Sequence, residues 1–358
     1  RMNMKDSFSF PVLEHPAPGC DTNKALELAT DWMETDESSK ITPLVSERDQ
    51  NFLISTKDEK TILKISNHKE EKGVLDFQNE ALLHLEGSTN LNLPKVKKSI
   101  NGEHLVLKMV GDEECFVRMV SFVDGVPLDD IEFNSTNLKP LHTSMGDFLA
   151  KLGKGLHGFS HPHQGHQLLW DIAQTENLFS LLDSIEDKQK RKMIEAALVY
   201  YQKNSKNLLS KQRKQVIHND MNPDNVLVAK EDPCTVAGMI DFGDMLYAPL
   251  INDLSIACAY EAIRTESLFE GSKHLLLGYH NENKLTESEI RLLPMLAYNR
   301  LAMTLIISEW RAAEHPGNKE YILGNIGHTW MVFGNIVPEE IETTGEQLGR
   351  FVSANMKT

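Results

Sequence analysis

The run Val216-Ile217-His218-Asn219-Asp220-Met221-Asn222-Pro223-Asp224-Asn225 leads directly into two short β-prone stretches, 226–229 and 235–240, joined by a turn centred on Pro233. The second stretch ends at Asp241-Phe242-Gly243-Asp244. A hairpin centred on Pro233 predicts that Asn225 and Asp241 stand opposite each other at its open end. An amide oxygen and a carboxylate would then face one point, a hard-oxygen pair of the kind that suits Mg²⁺ held jointly with substrate phosphates. Asp220, on irregular chain just before this pair, falls within reach of the same point without having to be a ligand. It is placed to act as a base.

The order Asp220-x-x-x-x-Asn225 and then Asp241-Phe242-Gly243 resembles the kinase arrangement of catalytic base, metal-binding Asn and metal-binding Asp. The opening His218-Asn219-Asp220, where protein kinases read His-Arg-Asp, is similar to that of the aminoglycoside phosphotransferase and choline kinase superfamily, which commonly has glycine at the position of Asn219. The resemblance implies an α+β, bilobal protein-kinase-like fold: a small β-sheet N-lobe over 1–122 and a larger α-rich C-lobe over 123–358. It implies a strand lysine for the phosphates and a helical glutamate to hold it, and Lys64 (in 61–66) and Glu80 (in 77–83) supply both in the right order. The turn over the phosphates, 46–51, has no glycine, which leaves Gln50 and Asn51 as candidate phosphate contacts. The hinge that would meet the purine falls at Ser121 to Val123, and His218 and Asp253 take structural roles around the catalytic loop.

The rest of the chain supports two lobes. Asp21 or Thr22 can cap a helix with Ala25, Leu28, Ala29 and Trp32 at helical spacing. Three β-prone runs (41–45, 51–55, 60–65), a helix over 74–85 and further strands (96–99, 105–109, 116–123) follow. Beyond Asp124-Gly125-Val126-Pro127 the patterning is mainly helical, over 141–156, 171–182, 188–209, 249–262 and 288–311. The apolar and aromatic residues from Tyr298 to Trp310 read as core because their spacing is helical.

At 358 residues and 41% apolar the chain is long enough for two or three compact lobes of about 150 residues each. Its 37 basic against 52 acidic residues give a net charge of −15, which disfavours nucleic acid and anionic membrane as partners. Four scattered cysteines argue for a reducing compartment and against structural zinc. No apolar run is read as a membrane span or signal peptide, and the expected location is cytoplasmic.

Two other site readings compete. Asp220-x-Asn222-x-Asp224 with Glu231 copies much of a calcium EF-hand loop, but Asn225 stands where that loop needs glycine and a β-run follows where it needs a helix. His157, His161, His163 and His166 crowd one stretch, yet Gly158, Pro162 and Gly165 make it a surface loop without fixed ligand geometry.

Most of the chain is similar to one branch of the superfamily, the hydroxylysine kinases and their bacterial relatives. The residues that carry this are 49–52 (Asp-Gln-Asn-Phe), 62–67 (Ile-Leu-Lys-Ile-Ser-Asn) and Asp241-Phe242-Gly243-Asp244-Met245-x-Tyr247. The resemblance implies phosphorylation of 5-hydroxylysine with GTP as donor, ATP being the general alternative, and Mg²⁺ as the metal. Homoserine kinase-like and choline or ethanolamine kinase-like enzymes are close neighbours, and a non-catalytic nucleotide sensor is the non-enzymatic alternative. On the acceptor side Asp244 is a candidate partner for a substrate ammonium, with Tyr247 beside it. Arg300 and Arg311, on one helix face, are candidates for a substrate carboxylate.

Overall fold

The computed structural model describes residues 10, 15–36, 38–46, 48–133, 135–324 and 326–356, without the side chains of 135, 136, 318 and 321. Glu47 of the phosphate turn and the early Pro11 lie outside the described residues. The chain divides into two compact units, Arg1–Asp124 with Phe159–His166, and Gly125–Gly158 with Gln167–Thr358.

The first unit opens with α1 (Thr22–Ala29), capped by the Asp21 side chain, which accepts the backbone N–H of Lys24 at 2.8 Å. An antiparallel sheet follows: β1 (Lys40–Leu44), β2 (Gln50–Ser55), β3 (Lys60–Ile65), β4 (Val96–Lys97), β5 (Val106–Val110) and β6 (Glu113–Ser121), with α2 (Lys72–Ser88) between β3 and β4. The strand order is β1-β2-β3-β6-β4, and β5 pairs with β6. Because side chains alternate across a strand, the register divides the sheet into two faces. One face carries the row Phe52, Leu63 and Met119, buried with Ala25, Leu28 and Ala29 of α1. Each such side chain contributes about 2 kcal/mol of transfer free energy on burial. The other face carries the row Asn51, Lys64 and Arg118. On this face the Arg118 guanidinium donates to Gln78 Oε1 at 2.5 Å and Asn79 Oδ1 at 3.0 Å, tying α2 to the sheet.

The histidine-rich stretch is a loop as expected, with His157 and His163 exposed and His161 and His166 half-buried. Phe159–His166 belongs to the first unit, with Phe159 stacked on Phe77 of α2 at 6.1 Å and the His161 ring 5.6 Å from Phe77. The His163 ring occupies the space that a Cβ at Gly73 would need.

In the second unit β7 (Val126–Pro127) joins the hairpin β9 (Val226–Val228) and β10 (Val236–Met239) in the order β10-β9-β7, while β8 (Lys214–Ile217) pairs with β11 (Leu246–Pro249). Helices make up most of the remainder: α3 (Ser135–Gly155), a 3₁₀ segment (Ile172–Ser184), α4 (Lys188–Tyr200) continuing through a π turn (Tyr201–Ser205) into α5 (Lys206–Ser210), α6 (Ile251–Thr265), α7 (Leu268–Glu282), α8 (Glu287–Glu314), α9 (Lys319–Gly324), α10 (Gly327–Asn335) and α11 (Ile341–Asn355). The sequence reading had not anticipated α7 or the helices from 319 onward. Thr286 and Glu289 form a reciprocal capping box at the start of α8. Contrary to expectation, α8 is long and apolar enough to cross a membrane by length and composition, but 89% of its most apolar window is buried. Tyr298 and Met303 are among its buried residues, so it serves as core.

Candidate active site

The catalytic-loop candidate begins where β8 ends at Ile217, and its path is fixed by a buried carboxylate. Asp253, in the first turn of α6, accepts the backbone N–H groups of His218 at 3.3 Å and Asn219 at 2.8 Å. Burial nevertheless pushes the Asp253 carboxyl up to about 6, against the pull of those two bonds. Between the two N–H groups and Asp220 the chain takes a left-handed turn, Asn219 having φ 67°. That geometry favours glycine, and asparagine is among the side chains that best tolerate it.

His218 ties the loop to the hairpin. Its Nδ1 accepts the backbone N–H of Asp220 at 3.2 Å, and its Nε2 meets the Ile240 carbonyl at 3.1 Å. Both contacts are satisfied by one neutral tautomer with the proton on Nε2. Complete burial pushes the imidazole down to about 4, which keeps it in that neutral form. Its ring packs edge-on against Phe242 at 4.6 Å.

Asp220 is held by two amides on one oxygen. Asn225 Nδ2 donates to its Oδ2 at 2.8 Å, Asn222 Nδ2 donates to the same atom at 3.0 Å, and Asn225 Nδ2 also reaches the Asp220 backbone carbonyl at 3.0 Å. The other oxygen, Oδ1, lies 3.7 Å from Arg300 Nη2, and the Asp220 side chain is 17% exposed. Burial raises the Asp220 carboxyl above the ordinary range, the Asp244 charge adds to this, and Arg300 opposes it. Asn222 entered the sequence reading only through the EF-hand pattern. Its amide two residues past the aspartate was the available signal for this role.

The hairpin register differs from the expected one. Val226 pairs with Met239, and the Ile240 N–H donates to the Asn225 carbonyl at 2.9 Å, so Asn225 faces Ile240 rather than Asp241. The turn sits one residue earlier than expected, with Val236 opposite Val228, and a β-bulge between Val236 and Gly238 takes up one residue, so the register beyond it is one position from the expected pairing. Asp241 follows just beyond the paired strand with φ 58°, and its Oδ1 accepts the Gly243 N–H at 3.1 Å. The two oxygen-bearing residues thus share one end of the hairpin without being a cross-strand pair. Among the described residues no group of three or more His, Cys, Asp or Glu is arranged to hold a metal by itself. After Glu231 the chain enters the strand Val236–Met239, where an EF-hand requires a helix.

The first-unit candidates separate in the structure. Lys64 stands between Asn51 and Arg118 in one cross-strand row, and Asn51 Oδ1 is buried without a hydrogen-bond partner. Glu80 does not face that row. Its side chain is 59% exposed and meets His161 Nε2 at 3.7 Å, while Gln78 and Asn79 occupy the sheet-facing side of α2. Its expected role as the anchor of Lys64 is corrected accordingly. Gln50 is spent elsewhere too: it accepts the Cys20 N–H at 2.8 Å and donates to the Cys20 carbonyl at 2.7 Å, which fixes the entry to α1 rather than a phosphate. At the hinge, the N–H groups of Ser121 and Phe122 are taken by the carbonyls of Lys95 (2.9 Å) and Lys60 (3.2 Å), so a purine contact there cannot use these two N–H groups.

Of the acceptor-side candidates, Asp244 is 8% exposed and Tyr247, on β11, is 44% exposed. Arg300 and Arg311 both lie on α8, about 16 Å apart along its axis. Arg300 is 2% exposed, its Nη1 donates to the Trp170 carbonyl at 3.1 Å, and its guanidinium sits 4.6 Å from the Trp170 ring centroid. Arg311 is partly buried, and burial lowers its guanidinium from the ordinary value.

Comparison with known proteins agrees with this geometry. The hydroxylysine kinase of Mus musculus is 25% identical over 309 residues, covering 80% of this chain and 81% of that protein. Two solved structures share the fold at lower identity: a microcompartment-associated aminopropanol kinase (TM-score 0.66, 17% identity, 92% of this chain and 100% of the other) and amicoumacin kinase hAmiN in complex with AMP-PNP, Ca²⁺ and Ami (TM-score 0.64, 15% identity, 90% and 94%). The family model of the phosphotransferase enzyme family matches residues 40–284, which run from β1 past the end of α7 and include Lys64, Asp220, Asn225 and Asp241. With more than half of its length so matched, the chain belongs to the phosphotransferase enzyme family and is a phosphotransferase that acts on a hydroxyl acceptor.

Proposed function

We propose that this protein transfers the γ-phosphoryl group of GTP or ATP to the side-chain hydroxyl of 5-hydroxylysine. The observation that carries the reading is the double amide clamp on Asp220 Oδ2, from Asn225 at 2.8 Å and Asn222 at 3.0 Å. The clamp uses one carboxylate oxygen and leaves Oδ1 to take the proton of an attacking hydroxyl. The similarity to mouse hydroxylysine kinase supports the choice of acceptor.

The donor set fits Mg²⁺. With its Nδ2 committed to Asp220, Asn225 keeps its amide oxygen for a cation, and the Asp241 carboxylate supplies the charged oxygen, a pair that suits a metal completed by phosphates and water. When bound, Mg²⁺ would spread the negative charge of the donor phosphates. Lys64 is the candidate, on the sequence resemblance, for neutralising the same charge. In 5-hydroxylysine the ε-ammonium sits on the carbon next to the reacting hydroxyl, and Asp244, buried beside Asp220, is the candidate for that ammonium. All four cysteines are free, which suits the cytoplasmic location we propose.

The test is nucleoside diphosphate release with GTP and with ATP, each with Mg²⁺, against 5-hydroxylysine, homoserine, choline, ethanolamine and an aminoglycoside, with Asp220→Ala as the blank. Turnover confined to 5-hydroxylysine and absent in Asp220→Ala is expected. Turnover confined to another acceptor would overturn the substrate assignment, and an active Asp220→Ala would overturn the base.

A further inference from the structure

We propose that Arg300 is a positioning residue for the base, fixing Asp220 Oδ1 toward the acceptor hydroxyl, and that it does not bind the substrate carboxylate. This rests on the reading of Asp220 as the base. The sequence alone made Arg300 a candidate for the substrate, because an arginine on a helix near the site is suited to a carboxylate. The structure commits its guanidinium elsewhere. Nη1 is bound to the Trp170 carbonyl at 3.1 Å, and the guanidinium lies 4.6 Å from the Trp170 ring centroid. The side chain is 2% exposed and its Nε is buried without a hydrogen-bond partner, so little of the fork is open to an incoming carboxylate.

The ion pair explains why a guanidinium is buried here at all. Burying it is costly unless an anion compensates, and the carboxylate it approaches is Asp220, with Nη2 3.7 Å from Oδ1. At 3.7 Å the contact is electrostatic and leaves the Oδ1 lone pairs unoccupied by a short hydrogen bond. Asn222 and Asn225 clamp Oδ2, so Arg300 fixes the remaining rotation of the carboxylate by attraction. Trp170, from the second unit's loop, holds the arginine in turn. The chain Trp170, Arg300, Asp220 is thus a support built behind the base, of the type that sets reacting geometry.

The test compares Arg300→Met and Arg300→Lys with the wild type in steady-state kinetics, using 5-hydroxylysine and its decarboxylated analogue, with nucleotide affinity and the thermal midpoint as checks on folding. Arg300→Met is expected to lower kcat by about 100-fold for both acceptors, the scale of a misplaced reacting group. KM should stay within about threefold, and Arg300→Lys should recover about tenfold of the lost rate. A KM for 5-hydroxylysine that rises about tenfold or more while the analogue is unaffected would show a substrate-carboxylate contact and overturn the inference. So would near-normal kcat in Arg300→Met. If Arg300→Met does not fold, Arg300→Lys carries the same test through its own kcat against KM split. Asp220→Asn is measured alongside: retained turnover there rejects the base itself, whereas loss of turnover there with an unaltered kcat in the Arg300 variants rejects only the positioning role.

Discussion

Asn225 donates from a single Nδ2 to two oxygens of Asp220, the carboxylate Oδ2 at 2.8 Å and the backbone carbonyl at 3.0 Å. The candidate metal ligand and the candidate base are therefore one mechanical unit. The amide's nitrogen end orients the base and its oxygen end is left for the cation, a division that only a carboxamide can make.

Asn225→Asp should consequently fail although it offers a metal a stronger ligand. It removes the donor to Asp220 and brings a second carboxylate to the same spot, where two buried like charges repel. We expect kcat to fall by at least about 100-fold and raised Mg²⁺ not to restore it. Recovery of the rate on Mg²⁺ titration would show that Asn225 serves the metal alone.

Glu80 gives the opposite expectation. A kinase-like chain is expected to need its helical glutamate, but here that residue is 59% exposed and faces His161, while Arg118 is the residue bound to α2. Glu80→Ala should keep turnover within about threefold of the wild type, since an exposed ion pair contributes little. A loss on the scale expected for Lys64→Ala, measured in the same assay, would return Glu80 to the role the sequence suggested.

These contrasts show which parts of the molecule were legible beforehand. The strand of Lys64 was read to its observed ends, 60–65, because a period of two with β-branched residues is a local signal. Which face of α2 met the sheet depended on Arg118, a residue from a strand far along the chain. The hairpin was legible, but its register was not, because neither the position of its turn nor the bulge after Val236 leaves a mark in composition. The pairing of β8 with β11 joins 214–217 to 246–249, a non-local match that no local pattern announces. Helix α7 escaped because Gly271 and Gly278 break its apolar stripe, and these glycines mark close packing rather than a turn.

Stability should carry two opposed pH terms across one window. Folded His218, pushed down to about 4 by burial, stays neutral where the unfolded chain protonates below about 6.5, so this term loses stability as pH falls from 6.5 to 4. Folded Asp253, pushed up to about 6 by burial, keeps its proton where the unfolded chain has released it, so this term loses stability as pH rises from 4 to 6. Asp253→Asn removes the second term alone. Its stability in urea should drop between pH 6.5 and 4.5 by about 2 kcal/mol more than that of the wild type over the same interval. An equal or shallower acid dependence in the variant would contradict the assignment of the two buried groups.

The closest helix packing in the second unit depends on two glycines that face opposite helices. A Cβ at Gly146 of α3 would overlap the Leu275 carbonyl oxygen and lie 2.7 Å from the Tyr279 nitrogen, and a Cβ at Gly278 of α7 would overlap the Thr143 carbonyl oxygen. These obstacles are backbone atoms, so neither substitution can be absorbed by a rotamer change, and α3 and α7 must move apart. Gly146→Ala and Gly278→Ala should each destabilise by about 3 kcal/mol, despite the better helix propensity of alanine. Gly349 on α11, with nothing within 4 Å of its Cβ position, supplies the control of opposite sign: Gly349→Ala should stabilise by up to about 1 kcal/mol. Because one separation of α3 from α7 relieves both clashes, the double variant should cost clearly less than the two single losses added together, a coupling that denaturant midpoints in a double-mutant cycle will read directly. Strict additivity would mean that the two glycines relieve independent contacts.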